Sequence, residues 1–180
     1  MEFISLTWFA WMWGTVTLYW LVPHSARSVV LIGVSALFLL SVSPLSLVLL
    51  CGFTLICHFA GNRPAIPARL LGMAVGIMVL TLFWFKLGIT ADSQTLMETV
   101  LIPLGLSYYT FRCIHFLMER FTGRIRACTF RELVAYLFFL PTFVVGPIHR
   151  ADDFLKDMRR QRFDTALLSE GAERILYGYV

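Results

Sequence analysis

The sequence has 180 residues, of which 58% are hydrophobic and 14% are charged, and its mean hydropathy is +0.76. Soluble domains carry about 25% charged residues, and a chain this short cannot hide so much apolar surface in its own core. The composition excludes an ordinary water-soluble domain, and the net charge of +4, with no nucleic-acid-binding motif, gives no reason to expect a nucleic-acid partner.

Six apolar segments follow one another along the chain. A helix needs about 20 apolar residues to cross a bilayer, with a range of about 17–25. Residues 3–22 meet this length, and their Trp and Tyr side chains are typical of a membrane interface. The other segments are 28–43, 45–60, 68–89, 100–118 and 133–148. The predicted fold is an all-α, polytopic transmembrane helical bundle with broken or re-entrant helices, in a single membrane domain over residues 1–180.

Local signals predict where several of these segments begin and end. Residues 61–67 contain two prolines and a glycine, so the third segment cannot continue through them as a helix. Gly123 predicts the end of the fifth segment. Thr129 and Glu132 have the spacing of a capping box, which predicts a helix start near Phe130.

Small residues recur at four-residue spacing in the fourth segment, at Ala68, Gly72 and Gly76. Such a stripe allows two helices in a membrane to approach closely. We therefore expect it to be a packing surface for another helix.

The end of the chain is more polar. Residues 150–163 are charged, but Phe154, Leu155 and Met158 can share one face of a helix. This pattern predicts a short helix lying at the membrane interface. A further helix is predicted to begin around Thr165.

The distribution of basic residues predicts an orientation. Eleven of the fifteen Lys and Arg residues lie from Arg112 onward. With the N-terminus outside, the loops after the first, third and fifth segments are basic and face the cytoplasm, as the positive-inside rule requires. The basic stretch 150–162 would then lie on the wrong side if 133–148 crossed the bilayer. Because Pro141 and Gly146-Pro147 could turn that segment back, we expect it to be re-entrant, with a protein-lined cavity near residues 141–150.

Ionisable groups in membrane segments are costly, so each is a candidate for function. The fifth segment carries four polar residues on one helical face: Tyr108, Arg112, His115 and Glu119. Two interpretations stay open. The face could line a tunnel that binds a polar or anionic group, with Arg112 as the fork-shaped donor. It could instead be a structural ladder of ion pairs, from Glu119 to His115 and from His115 to Arg112.

A second group of candidates follows the Gly146-Pro147 pair, at the mouth of the expected cavity. Pro147, His149 and Arg150 are assigned to its lining. His149 could titrate near neutral pH and handle protons there. No cysteine pair or Cys/His spacing indicates a metal site or a disulfide framework.

Three blocks of sequence resemble the membrane-bound O-acyltransferase family. They are PLGLSYYTF at 103–111, ERFTG at 119–123 and PTFVVGPIHR at 141–150. The resemblance is strongest to the subgroups that acylate bacterial cell-surface polymers, the alginate O-acetylase and teichoic acid D-alanyl transferase types. The second of these usually has an acidic residue where this chain has His149.

The resemblance implies a many-helix fold around a funnel in a bacterial inner membrane. An acyl group would enter from the cytoplasmic side, from an acyl thioester co-substrate, and pass to a hydroxyl of a cell-envelope polymer. No bound cofactor is implied; the implied partners are membrane lipids and an acyl carrier protein or other envelope-modification subunits.

The family's catalytic histidine lies well C-terminal to these blocks, and by that alignment it would fall beyond Val180. The chain therefore resembles the N-terminal part of such an enzyme, truncated or from a split gene. No catalytic residue is expected in it, with His115 and His149 as the alternatives.

Two other functions compete with acyl transfer. A transporter-like module could use the Arg112 face as an ion path, although the sequence shows no internal repeat. A non-catalytic scaffold could bind a partner subunit.

Overall fold

The computed structural model describes residues 6–62, 66–91, 105–125, 128–139, 150–160 and 165–178, and all regular structure in these ranges is α-helical. The helices are α1 (Leu6–Leu21), α2 (Arg27–Val42), α3 (Pro44–Gly61), α4 (Ala68–Ala91), α5 (Leu106–Phe121), α6 (Phe130–Leu137), α7 (Ala151–Arg160) and α8 (Thr165–Gly178). The predicted all-α fold class is confirmed.

The first four predicted segments each correspond to one helix, and the ends agree within three residues. Helix α3 and the stretch Ala68–Leu87 of α4 are long and apolar enough to cross a membrane, by length and composition, while α2 is apolar but shorter. These helices carry large apolar side chains on their outer surface, such as Val48, Phe59 and Trp84. These exposed apolar faces and the two long apolar helices are consistent with an all-α helical membrane protein.

The sixth predicted segment is described only in its first part. Helix α6 begins at Phe130, as the capping box predicts, and ends at Leu137 after eight residues. The capping box explains this start: the Thr129 backbone N–H donates to Glu132 Oε2 at 2.8 Å, and the Glu132 N–H donates to Thr129 Oγ1 at 3.3 Å. Residues 140–149, which include Pro141 and Gly146-Pro147, lie outside the described residues. The re-entrant turn and the cavity stay predictions.

Helix α5 is bounded by two glycines in the left-handed region. Gly105 immediately precedes it with φ +72°, and Gly123 follows its C-cap with φ +75°. The Gly123 N–H donates to the Arg120 carbonyl at 3.2 Å, which closes the last turn. The predicted stop at Gly123 is confirmed.

No described residue packs closely against Gly72 or Gly76 in the small-residue stripe on α4, so its role as a packing surface stays a prediction. A Cβ placed at Gly72 or Gly76 would have no described atom within 4 Å. Helix α4 instead buries Ala74 and Met78 against the core. In the described part of the chain, the inward face of α4 is therefore the one that carries Ala74 and Met78, not the one that carries Gly72 and Gly76.

Helix α5 lies at the centre of the bundle and packs against α3, α4, α6 and α7. It approaches the end of α3 closely, where a Cβ at Gly61 would lie 3.2 Å from a ring carbon of Phe116. Around this contact the core contains Cys57, Cys113, Phe116 and Leu117, all 2% exposed or less. This side of α5 is therefore enclosed by the described bundle.

Several turns meet at one end of this bundle. Arg120 Nε at the end of α5 donates to the Gly61 carbonyl at the end of α3, at 2.8 Å. Arg131 at the start of α6 donates to the carbonyl of Ser25, in the turn between α1 and α2. The basic loops that the orientation argument placed on one side of the membrane thus belong to one end of the molecule.

Helix α7 packs along α6 at this same end. Its Phe154 ring lies 5.4 Å from the Tyr136 ring, and Arg159 Nε lies 2.7 Å from Glu132 Oε1. Because a later residue of α7 meets an earlier residue of α6, the two helices run antiparallel. The predicted amphipathic helix is present, but Leu155, 3% exposed, faces protein where lipid contact was expected.

Candidate functional site

Two charged side chains are enclosed on α5. Arg112 is 2% exposed and Glu119 is 3% exposed. They lie seven residues apart, so two turns of helix place them on the same side of α5, toward α6 and α7. Such groups are kept inside only by specific partners, and those partners define the candidate site.

Arg112 is held by Tyr136 of α6. Its guanidinium donates to the Tyr136 backbone carbonyl, and the guanidinium carbon lies 4.4 Å from the centre of the Tyr136 ring. A planar guanidinium suits both contacts at once, which an ammonium group would not. Arg112 therefore ties α5 to α6 across the bundle core.

Glu119 is held from two directions. Its Oε1 lies 3.8 Å from His115 Nε2, one turn earlier on α5. Its Oε2 accepts the backbone N–H of Asp152, in the first turn of α7, at 3.4 Å. The carboxylate thus joins an imidazole of its own helix to the start of another helix.

His115 lies at the edge of the enclosed region. Its side chain is 34% exposed, and its Nδ1 is buried with no hydrogen-bond partner among the described residues. A carboxylate close to one ring nitrogen can orient an imidazole. The arrangement is compatible with proton transfer, although the 3.8 Å separation is longer than a hydrogen bond.

The other predicted site residues lie apart from this cluster or outside the description. Tyr108 is 37% exposed, one turn before Arg112 on the same face of α5. Arg150 is exposed, directly before α7. Pro147 and His149 lie outside the described residues. The structure brings Arg112, His115 and Glu119 together with α6 and α7, and it does not bring Tyr108 to them.

An ion pair that sequence reasoning missed lies beside this cluster. Glu132 accepts from Arg159 Nε at 2.7 Å and from Arg159 Nη2 at 3.2 Å. The hydrogen bond from Arg159 holds the pKa of the Glu132 carboxyl below its ordinary value. The capping-box pattern identified Glu132 as a helix-capping residue. No local sequence pattern predicts its pairing with Arg159, which lies 27 positions later.

The described residues contain no group of three or more His, Cys, Asp or Glu side chains that could hold a metal ion. Cys128 lies near the Glu132 pair, and burial raises the pKa of its thiol to about 11. A thiol with a raised pKa is a poor nucleophile at neutral pH. Cys128 is therefore not a candidate nucleophile.

Comparison with known proteins gives matches to two kinds of bacterial enzyme. The chain is 24% identical over 184 residues to "Probable alginate O-acetylase AlgI" of Pseudomonas putida, covering 91% of this chain and 38% of that protein. It is 33% identical over 81 residues to the teichoic acid D-alanyltransferase of Streptococcus thermophilus, covering 45% of this chain and 19% of that protein. It is 40% identical over 57 residues to the Lacticaseibacillus rhamnosus enzyme of the same name, covering 32% of this chain and 14% of that protein.

No protein-family model matches the chain, and no solved structure matches it significantly. The chain spans only 14% to 38% of the length of these three relatives. Both kinds of relative are those that the three sequence blocks resemble. The chain is therefore similar, over part of their length, to bacterial enzymes of the alginate O-acetylase and teichoic acid D-alanyltransferase types.

Proposed function

We propose that this chain forms part of a membrane-bound O-acyltransferase that moves an acyl group to a hydroxyl of a cell-envelope polymer. The main support for this proposal is the similarity of the chain to two kinds of enzyme whose names differ in acyl group and acceptor. Their names share the transfer of an acyl group to an envelope polymer. The shared reaction is therefore a better inference than either particular substrate.

The reaction class has a simple balance. The acceptor hydroxyl attacks the carbonyl of an acyl thioester, the new C–O ester bond forms, and the C–S bond breaks. A histidine takes the hydroxyl proton, and the thiolate leaves and becomes a thiol. By the family resemblance that histidine is expected beyond Val180, with His115 and His149 as the alternatives within this chain.

The described residues would support this reaction by building one wall of the transfer path. Arg112 joins α5 to α6, and Glu119 joins α5 to the first turn of α7, which directly follows Arg150. An enclosed path would exclude water, which otherwise hydrolyses the thioester.

The proposed membrane placement is multi-pass, in a bacterial inner membrane. The end of the bundle that contains Gly61, Arg120 and Arg131 carries the basic loops, and we place it on the cytoplasmic side. A soluble acyl carrier protein could then deliver the thioester to that end. Membrane lipid would surround the apolar faces of α2, α3 and α4.

The test uses the full-length protein in lipid vesicles. Labelled acetyl and D-alanyl thioesters are supplied in turn with alginate or teichoic acid, and hydroxylamine-sensitive label on the polymer is measured. Ester formation on at least one polymer is expected, with thioester hydrolysis in the absence of polymer as the control. No ester on either polymer, in a preparation shown to be folded, would overturn the proposal.

The 180-residue chain by itself is expected to transfer no acyl group, because the resemblance places the base outside it. Measurable transfer would show that His115 or His149 acts as the base. The variants His115→Gln and His149→Gln would then identify which one.

A further inference from the structure

Glu119 makes the main polar connection between α5 and the start of α7 in the described structure. Its carboxylate is enclosed, at 3% exposure, and accepts the Asp152 N–H from a helix 33 residues later in the chain. A buried carboxylate is costly unless hydrogen-bond donors face it. The first N–H groups of a helix have no partners within that helix and carry the positive end of its dipole. Each group therefore supplies what the other lacks.

We propose that Glu119 is a positioning residue: it sets where α7 begins relative to α5, and with it the location of Arg150. Arg150 is the last residue of the 141–150 block and directly precedes α7. The inference rests on the proposed function in that the position of Arg150 matters only if the 141–150 block takes part in acyl transfer. The hydrogen bond itself is independent of any reaction.

Apolar contacts hold α7 on the bundle, and a hydrogen bond adds a directional contact at its first turn. Ala151 is fully buried and Leu155 is 3% exposed, so this face of α7 packs against the bundle. A hydrogen bond weakens steeply as its geometry is lost. The bond from the Asp152 N–H to Glu119 is therefore expected to add to the register that packing gives α7.

The ion pair at the other end of α7 is a weaker constraint. Arg159 is 54% exposed where it meets Glu132, and exposed pairs contribute little to stability. The pair also lies near the last residues of α7, away from Arg150. It provides a matched control, because it links the same helix to the bundle without touching Glu119.

A buried reporter measures whether the start of α7 is attached. In full-length protein in vesicles, the native cysteines are replaced by alanine and Ala151→Cys is introduced. The rate at which a small maleimide labels this thiol reports opening of the first turn. Size-exclusion chromatography confirms that each variant is folded.

Glu119→Ala is expected to raise the labelling rate about 5–30-fold, the factor that corresponds to loss of a helix cap. Glu119→Gln keeps a hydrogen-bond acceptor at the same distance, so its labelling rate is expected to stay within about twofold of the parent. The labelling rate of the control Arg159→Gln is expected to stay within the same limit. If Glu119→Ala does not fold, Glu119→Asp replaces it, since its shorter carboxylate keeps the charge but cannot reach Asp152.

The proposal is overturned if neither shortened variant changes the labelling rate, or if Glu119→Gln raises it as much as they do. Labelling does not depend on acyl transfer, so the two proposals can fail separately. If the variants change the labelling rate as expected but the protein forms no polymer ester, the positioning role of Glu119 stands and the proposed function is rejected.

Discussion

Arg112 is an enclosed charged side chain on α5, and its contacts with Tyr136 predict its contribution to stability. Arg112→Met removes the donor to the Tyr136 carbonyl and the cation over its ring. We expect the free energy of unfolding to fall by about 1–3 kcal/mol, since a buried acceptor loses its partner. Thermal unfolding of the full-length protein in detergent measures this.

Arg174→Met is the control for that experiment. Arg174 is 78% exposed on α8, where it pairs with Glu170. A surface change of this kind is expected to stay within about 0.5 kcal/mol of the parent. Equal effects of the two variants would mean that Arg112 does not hold α5 to α6.

The Glu132–Arg159 pair predicts a pH dependence. Its Glu132 carboxyl has a pKa below the ordinary value because Arg159 donates to it. A carboxyl of this kind stabilises the fold above its unfolded pKa of about 4.3, and that contribution disappears as the pH falls through the folded pKa. Arg159→Gln should therefore lower stability by about 0.2–1 kcal/mol at pH 7. Denaturation midpoints should converge as the pH falls through the lowered folded-state pKa of Glu132; a difference that persists where this carboxyl is fully protonated contradicts the assignment.

The polar face of α5 shows what a single helix pattern can predict at the residue scale. At about 100° per residue, its four polar residues fall within a sector of about 60°. The structure encloses Arg112 and Glu119 but leaves Tyr108 and His115 partly exposed. Residue spacing predicts which side chains share a face of α5. Which of them are buried depends on where α6 and α7 pack, and the sequence of α5 contains no information about that.

At the scale of elements, the docking of α7 through its apolar face gives a third prediction. Leu155→Ala removes buried surface and should loosen α7 by about 2–5 kcal/mol, the usual cost of such a truncation. Trypsin should then cut faster after Lys156, Arg159 or Arg160, which are exposed on α7. Mass spectrometry of the fragments identifies the cleaved bond.

Asp157→Ala tests the opposite face of α7. Asp157 is exposed, so its removal should leave the rate of cleavage nearly unchanged. If both variants accelerate cleavage equally, the apolar face is not what holds the helix.

Helix ends were easier to predict than helix neighbours. The capping box at Thr129 and the glycine stop at Gly123 involve atoms a few residues apart, so the sequence contains the whole interaction. The Glu132–Arg159 and Glu119–Asp152 contacts join residues 27 and 33 positions apart. They depend on α7 folding back along α6, which follows from tertiary packing and has no local signature.

At the scale of the whole molecule, the basic turns were predicted to share one side of the membrane. The contacts of Arg120 with Gly61 and of Arg131 with Ser25 place these turns at one end of the bundle. Because α7 is tied to that same end through Glu119 and Glu132, its charged face belongs with them. This supports the expectation that the chain between α6 and α7 returns to the side from which it came.

Single-cysteine labelling decides this topology. In the full-length protein with its native cysteines replaced, Lys156→Cys and Arg69→Cys should react with an impermeant maleimide only from the cytoplasmic side, since both positions are exposed at the basic end. Ser41→Cys, near the turn between α2 and α3 at the opposite end, should react only from outside and serves as the opposite control. If residue 156 reacts from the same side as residue 41 while residue 69 does not, the segment after α6 crosses the bilayer. Its contacts with Glu119 and Glu132 could not then form, because a hydrocarbon layer about 30 Å thick would separate the partners.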